Sequence, residues 1–458
     1  MKMRRWRKTS WHTTHCQDGF KITLSKRIMI LIHTPTVKPR IIYIFRHFFH
    51  HRLGQEVSFT SDVSAFVAHS GPKMSYGDVP LGNEFFIAAN GLLTEQGVNP
   101  VDILIFQWEG IPAFFATSAK SQLPFDFFAA SFYLMSRYEE YMPYAPDDLG
   151  RFTPEQSLAF NHNFLDLPLI DMWFDRFVAA WTDFFELPPF KQPVNTTELV
   201  VEIPQLYAYK HKTLFRSFFE GLYDFGRLKF AKTFDRLMVV LRFREDPLIG
   251  LIEHMESFRS TAVSFRFFAL YAALGVHDKS LSVFSKKNQQ ELKSLSDYAP
   301  TAPLASFEST QKSQKLNQDI NRFSGLIHRP IKAIRQHKLV LRFPDTYRAF
   351  SSSGIKHDYS MQYPDSPGFR ASTAHPFRFF DLGEEQQTPL TIHPICLSES
   401  HIRAQQYARK MRQLFIGYQS RLQKLNTPML VALTNESFNN RSKNAPFLAT
   451  LKKLLIHE

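Results

Sequence analysis

The spacing of apolar positions changes along the chain, and the changes predict its organisation. Between residues 29 and about 190, short apolar runs with the length of strands, at 41–45 and 101–106, alternate with longer aromatic runs. The longest, at 127–141, sets Phe128, Phe132, Met135 and Tyr138 three or four residues apart. That is the spacing of one helical face, most simply a core face. The charged end of this run, Arg137-Tyr138-Glu139-Glu140-Tyr141, reads as a solvated or locally paired face, with a site as the alternative. A polar stretch containing prolines, 187–197, reads as a linker. From Glu198 onward, apolar strands separated by helical segments form the βα alternation of a barrel or a parallel sheet. Strands are expected at 198–203, 263–268, 331–334, 390–395 and 429–433. Between the last two, Tyr407, Met411, Leu414, Tyr418, Leu422 and Leu425 repeat at three and four residues while Arg409, Lys410, Arg412 and Arg421 face outward, which predicts an amphipathic helix. Leu316, Ile320 and Phe323 mark another helical face.

Composition narrows this picture. A chain of 458 residues is long enough for two or three domains, and 44% apolar with 15% aromatic residues suits packed cores rather than disorder. The net charge of +13 suggests a polyanion partner until it is located. Residues 1–28 hold eight Lys or Arg against the single acid Asp18, so the rest of the chain carries an ordinary balance. The charge step at residue 29, where a strand-like run begins at its own methionine, predicts that translation starts at Met29 and that the basic head has no packed structure. Cys16 and Cys396 do not make a disulfide framework in a chain of this size, which fits a reduced compartment. The apolar run at 28–32 is shorter than a signal h-region, and the run at 125–134 is interrupted by Asp126 and Ser131 and falls short of a membrane span. These features point to the cytoplasm.

Chemistry enters through a set of short motifs. Tyr207-Ala208-Tyr209-Lys210-His211-Lys212 follows the first strand of the second unit, and Arg335-Gln336-His337 with Pro344-Asp345-Thr346-Tyr347 follows a later one. Asp358-Tyr359-Ser360-Met361, Gly368-Phe369-Arg370-Ala371 and Pro376-Phe377 come next. With these motifs the chain resembles bacterial polysaccharide deacetylases of the NodB type, in a branch where an uncharacterised N-terminal domain precedes the NodB-homology barrel. Residues 125–130 and 136–141 are similar to that N-terminal domain, so the resemblance runs from Met29 to Asn435. The fold it implies is α/β, a deacetylase-type (β/α) barrel over 198–445 preceded by a smaller α+β domain over 29–190.

The resemblance also implies a chemistry to look for. Such enzymes hold a divalent ion with one Asp and two His, use a second Asp as general base and a later His as general acid. Position by position, Glu202 stands at the base, Pro204 at the metal Asp, Leu304 at a metal His and Thr434 at the acid His. The ancestral divalent metal, such as zinc, is therefore expected to be lost, and no cofactor is expected. Arg335 and His337 match the arginine motif, whose role by resemblance is to orient the catalytic carboxylate and shape the sugar site. Asp358 and Arg370 match the following loop; Glu202, Arg335, His337 and Asp358 are the vestigial catalytic candidates, and Tyr207, Tyr209 and Arg370 stand as substrate contacts. Arg335, His337, Asp358 and Arg370 are expected to line one cleft with Glu202 at the C-terminal ends of the strands. Arg335 with Asp358 reads equally as a buried ion pair or as a ligand contact. His337, His357, His375 and His393 lack the spacing of a dedicated metal site, and neither a Gly-x-Ser-x-Gly elbow nor a Gly-rich phosphate loop occurs.

Three readings stand at this point, and whether the protein is an enzyme stays open among them. The favoured one is a degenerate deacetylase-like protein that binds a carbohydrate or scaffolds a polysaccharide pathway without catalysis, and without nucleic-acid contact or a transmembrane segment. The second is an active carbohydrate N-deacetylase with Glu202 as base and His337 as ligand or acid. The third is a binder of nucleic acid or an anionic surface working through the charge of the basic head.

Overall fold

The computed structural model describes residues 29–190, 196–210, 222–223, 225–228, 230–248, 251–256, 263–278, 282–310, 312–439, 441 and 444–456. The basic head with Cys16, His211 and Lys212, and the middle of the expected linker lie outside these residues.

The first unit runs β1 (Met29–His33), α1 (Pro39–Phe45), β2 (Glu56–Thr60), α2 (Val63–Ala68), β3 (Lys73–Gly77) and β4 (Phe85–Ala88). A hairpin of β5 (Phe106–Trp108) and β6 (Ile111–Ala113), then α3 (Phe127–Met135), α4 (Leu158–Asn161) and α5 (Leu169–Phe184), complete it. The four long strands pair in parallel in the order β2-β1-β3-β4. The unit is therefore wound α/β, not the α+β arrangement anticipated. The expected strand at 41–45 is the helix α1, because a short apolar run does not distinguish strand from buried helix and Pro39 at its first position starts a helix. The expected strand at 101–106 is present only from Phe106.

All nine residues of α3 are buried, so this helix is core on every side. Its N-cap, Asp126, is wholly buried and accepts the Ala129 N–H at 2.9 Å, the Asn90 N–H at 2.8 Å and the Tyr76 hydroxyl at 2.7 Å. Burial pushes this carboxyl from its ordinary 3.8 up to about 6. The folded state thus holds the proton more tightly than the unfolded chain, and the associated stability is present below about pH 4 and lost as pH rises through 6. Asp126→Asn is expected to flatten the pH dependence of the urea midpoint across this window. Asp126→Ala should cost about 2–3 kcal/mol through the lost cap and the stranded Tyr76 hydroxyl.

The second unit comprises β7 (Thr197–Ile203), α6 (Phe230–Val240), α7 (Leu251–Glu256), β8 (Val263–Ala269), α8 (Lys286–Tyr298), β9 (Thr301–Ala305), α9 (Ser313–Ile327), β10 (Ala333–Gln336), α10 (Asp345–Ser352) and β11 (His357–Asp358). It continues through β12 (Phe377–Asp381), β13 (Gln386–Ile392), β14 (Leu397–Ser398), α11 (Glu399–Arg403), α12 (Ala408–Lys424), β15 (Met429–Thr434) and α13 (Ala445–Ile456). Nine strands form one sheet in the order β12-β13-β11-β10-β9-β8-β7-β15-β14, parallel except for β12 against β13. Its ends, β12 and β14, are not joined by a strand ladder among the described residues. Residues 393–396 lead from β13 to β14, with the N–H groups of His393, Ile395 and Cys396 donating to the carbonyls of Asp358, Met361 and Leu430. The mixed α/β architecture and the expected strands are present. β9 is additional, a five-residue Thr-Ala-Pro-Leu-Ala segment with no β-branched run to announce it.

One apolar core spans both units, running from Ile30 and Phe128 in the first to Ile334, Phe380 and Ile392 in the second. The β12–β13 edge is the docking element: Phe380 meets Phe132 at 5.2 Å and Tyr43 at 5.0 Å, and the Tyr43 hydroxyl donates to the Arg378 carbonyl at 2.7 Å.

Candidate functional site

The strand register brings four of the motif positions to the C-terminal ends of the sheet. Glu202 in β7 is the partner of Thr434 in β15, and Leu304 in β9 is the partner of Arg335 in β10. Alternate residues of a strand share a face, so Glu202 follows Val200, Leu304 follows Ala302 and Thr434 follows Ala432. Val200, Ala302, Leu304 and Ala432 belong to one apolar cluster with Phe268 and Tyr359. The polar positions cap it.

Arg335, only 1% exposed, is the charge centre of this cap. Its Nε donates to Glu202 Oε1 at 2.6 Å, a second nitrogen donates to Gln362 Oε1 at 3.2 Å, and a third to the Tyr359 carbonyl. A buried guanidinium needs such complete pairing, since an unpaired charge would be costly to desolvate. Its counter-ion is Glu202 and not Asp358. Asp358 is the partner of Ile334, one residue out of phase with Arg335, so it points to the opposite face. There it accepts the Tyr347 hydroxyl at 2.8 Å and the Ser360 hydroxyl at 2.6 Å, and burial pushes its carboxyl up.

His337 is held elsewhere, with Nδ1 at 2.9 Å from Asp278 Oδ1. Asp278 also accepts the N–H groups of Phe307 at 2.9 Å and Glu308 at 3.3 Å. Burial pushes the Asp278 carboxyl up, but the His337 hydrogen bond and these amides outweigh it and hold the group below its ordinary range.

Arg370 lies in the joint between the two units. Its Nε donates to Glu140 Oε1 at 2.9 Å, and Glu140 also receives Arg137 at 2.7 Å, while a second nitrogen of Arg137 reaches Glu139 at 2.7 Å. All four side chains are buried. The charged end of the aromatic run is therefore neither solvated nor only locally paired; it is tied to a partner 230 residues away. Gln362 links the two networks, its side-chain oxygen receiving Arg335 and its carbonyl receiving Arg370 at 3.4 Å. The five expected cleft residues thus occupy four environments, with only Glu202 and Arg335 in direct contact.

Tyr207 and Tyr209 sit on the loop after β7. Asp246 shapes that loop by accepting the N–H groups of Ala208, Tyr209 and Lys210 at 2.8–2.9 Å. The Tyr207 hydroxyl donates to Glu291 at 3.0 Å, and the Tyr209 ring lies 5.2 Å from the Arg236 guanidinium. Tyr207, Glu291, Lys287, Lys210 and Asn435 line a cleft of about 320 Å³ with an apolar wall from Leu206 and Leu251. Asn435 is buried; its amide nitrogen donates to the Gln205 carbonyl at 2.8 Å, and its Oδ1 has no partner among the described residues. Of the proposed site residues, this cleft is lined by Tyr207 alone.

The residues at the positions that the resemblance aligns with metal ligands do not fit a divalent ion: Pro204 has no donor and Leu304 is buried in the apolar cluster. At the position aligned with the acid His, the amide and hydroxyl of Thr434 both donate to Glu399. Among the described residues, no three His, Cys, Asp or Glu side chains gather into a metal-holding group. The four histidines weighed from sequence fall in three places: His357 Nδ1 lies 3.1 Å from His393 Nε2, His375 packs toward His47 at 6.1 Å, and His337 stays with Asp278.

Asp278, Gln362 and Glu399 hold this arrangement and were not singled out from sequence. For Asp278 a signal existed, since it follows the predicted strand at 263–268 by a short loop, where such folds place polar site residues. Gln362 and Glu399 had none, because their partners lie 27 and 35 residues away.

Comparison with known proteins bears mainly on the first unit. Residues 30–186 match a family of unknown function, DUF7033. No curated protein matches the chain. Among solved structures, a polysaccharide deacetylase from Mycobacterium smegmatis is similar at TM-score 0.37 and 11% identity, over 59% of this chain and 86% of that one. A polysaccharide deacetylase from Pseudomonas aeruginosa PAO1 is similar at TM-score 0.36 and 10% identity, over 60% and 90%. An allantoinase is similar at TM-score 0.33 and 10% identity, over 57% and 83%. Likenesses this slight say nothing of what this chain does.

Proposed function

We propose that this protein binds a carbohydrate-sized ligand in the cleft between Tyr207 and Asn435 and does not hydrolyse it. The observation that carries the reading is that Asn435, a lining residue of that cleft, has a side-chain oxygen with no partner among the described residues, an acceptor that a ligand hydroxyl would satisfy. Around it stand an aromatic ring, a Lys–Glu pair and an apolar wall, the mixture by which small polar ligands are oriented. The deacetylase resemblance of the motifs suggests the ligand class, and the barrel it implies would be completed by the segment at 393–396. Against catalysis stands the state of Glu202, which is engaged by Arg335 and has no histidine at the neighbouring Leu304 and Thr434 positions. The active-deacetylase reading is the outcome that would displace this one.

The test pairs calorimetric titration with N-acetylglucosamine oligomers and an acetate-release assay with zinc or cobalt added. Binding is expected for the wild type and should weaken by about tenfold in Asn435→Leu, the loss of one buried hydrogen bond. Acetate should not appear. Acetate release that disappears in Glu202→Gln would establish hydrolysis instead, and equal affinity of wild type and Asn435→Leu would remove the cleft from consideration.

A further inference from the structure

Exposed apolar side chains concentrate on one element. Helix α6 turns Phe230, Phe234 and Leu237, with Leu241 just beyond its end, toward solvent at 52–55% exposure. Their spacing of four, three and four residues places them on one stripe. The opposite side carries Arg236 and Val239, which are buried. The helix therefore packs by its narrow inner side and leaves its apolar face uncovered by the described residues. Leu228 at 74% and Phe243 at 71% exposure extend the face at both ends, well beyond the scattered apolar residues normal on a surface.

Charge indicates what covers this face. Residues 222–244 contain six basic residues against two acids, and Arg227 and Arg242 are exposed around the apolar stripe, while Arg244 is exposed but paired with Asp235 at 2.8 Å. We propose that this face docks on the headgroup layer of an anionic lipid bilayer, with the aromatic and leucine side chains inserted at the acyl boundary and the arginines among the lipid phosphates. A basic rim around an aromatic stripe has the chemistry of an interfacial helix. Two copies meeting through this face would set their basic rims against each other, whereas an anionic surface complements them. No helix among the described residues is long and apolar enough to cross a membrane, so the contact is with one leaflet. The helix is anchored beside the candidate cleft, because Asp246, shortly after its end, accepts the N–H groups of Ala208, Tyr209 and Lys210. The proposal does not depend on what that cleft binds.

The experiment is flotation of the full chain with vesicles of phosphatidylcholine alone or with about one third phosphatidylglycerol. Binding to the anionic vesicles should be at least about tenfold stronger and should fall with added salt. The triple substitution Phe230→Ser, Phe234→Ser and Leu237→Ser should lose about tenfold or more of it. Arg227→Glu with Arg242→Glu should abolish the preference for anionic lipid. A single Phe234→Cys variant carrying an environment-sensitive fluorophore should shift to the blue on the same vesicles, a readout that does not depend on the triple variant folding. Absence of flotation, equal binding by a folded triple variant, or an unshifted fluorophore would each overturn the proposal. So would a wild-type dimer in the ultracentrifuge that the triple substitution dissolves, because a second copy would then cover the face.

Discussion

Replacing Glu140 with alanine is expected to cost roughly 3–5 kcal/mol, the effect of breaking a buried ion network by removing its shared anion. Glu140 accepts from both Arg137 and Arg370, and all three side chains are about 1% exposed. Without it, Arg370 keeps only a long bond to the Gln362 carbonyl, and Arg137 is left with Glu139 as its carboxylate. Both guanidinium groups are about 1% exposed, so solvent offers little to compensate. Because this network sits in the joint between the units, the loss should also separate their unfolding, seen as two urea transitions where the wild type shows one. The pH dependence follows from the same geometry. Burial pushes the Glu140 carboxyl up, but Arg370 and Arg137 prevail and hold it below its ordinary range. Its contribution is therefore present above the unfolded value near 4.5 and is lost as pH falls through the lower folded value. Wild type should lose stability steeply at acid pH, and Glu140→Ala should show less of that loss. A cost below about 1 kcal/mol would show that the joint is hydrated in solution.

Phe128→Ala should be of similar size, roughly 3–5 kcal/mol, for a different reason. Phe128 is fully buried at the centre of the first core; its ring is stacked on Phe45 at 3.9 Å and meets Phe127 at 5.0 Å and Phe177 at 5.5 Å. Rings from α1, α3 and α5 are fixed around it, so the space left by truncation has little freedom to collapse. Phe160, 41% exposed on α4, is the control, and its replacement by alanine should stay within about 0.5 kcal/mol. Equal effects at the two positions would show that the aromatic cluster repacks.

Much of the fold was legible without coordinates. The strands at 198–203, 263–268 and 429–433 and the helix at 407–425 are found within a residue or two of their expected bounds, because the helix carries a long three-and-four apolar period and the strands are short apolar runs set in a regular alternation with helical segments. The run at 41–45 failed for the converse reason: five apolar residues packed on every side carry no period, and the helix emerges from Pro39 and the surrounding sheet. The candidate site divides in the same way. Residue types at motif positions were readable, so the resemblance set Pro204 and Leu304 where metal ligands would be expected and Thr434 where a general acid would be.

Pairing was decided only by the tertiary structure. Arg335 was as compatible with Asp358 as with Glu202 until the register of β10 and β11 put Asp358 on the opposite face. Arg370 read as a sugar contact until the first unit brought Glu140 to it. The uncovered face of α6 was likewise hidden, since an amphipathic pattern reads the same whether its stripe points inward or out. Local sequence determines which groups a segment can offer, through periodicity, capping and side-chain type. Which of those groups meet depends on strand register and on packing between segments hundreds of residues apart, and only the folded chain settles that.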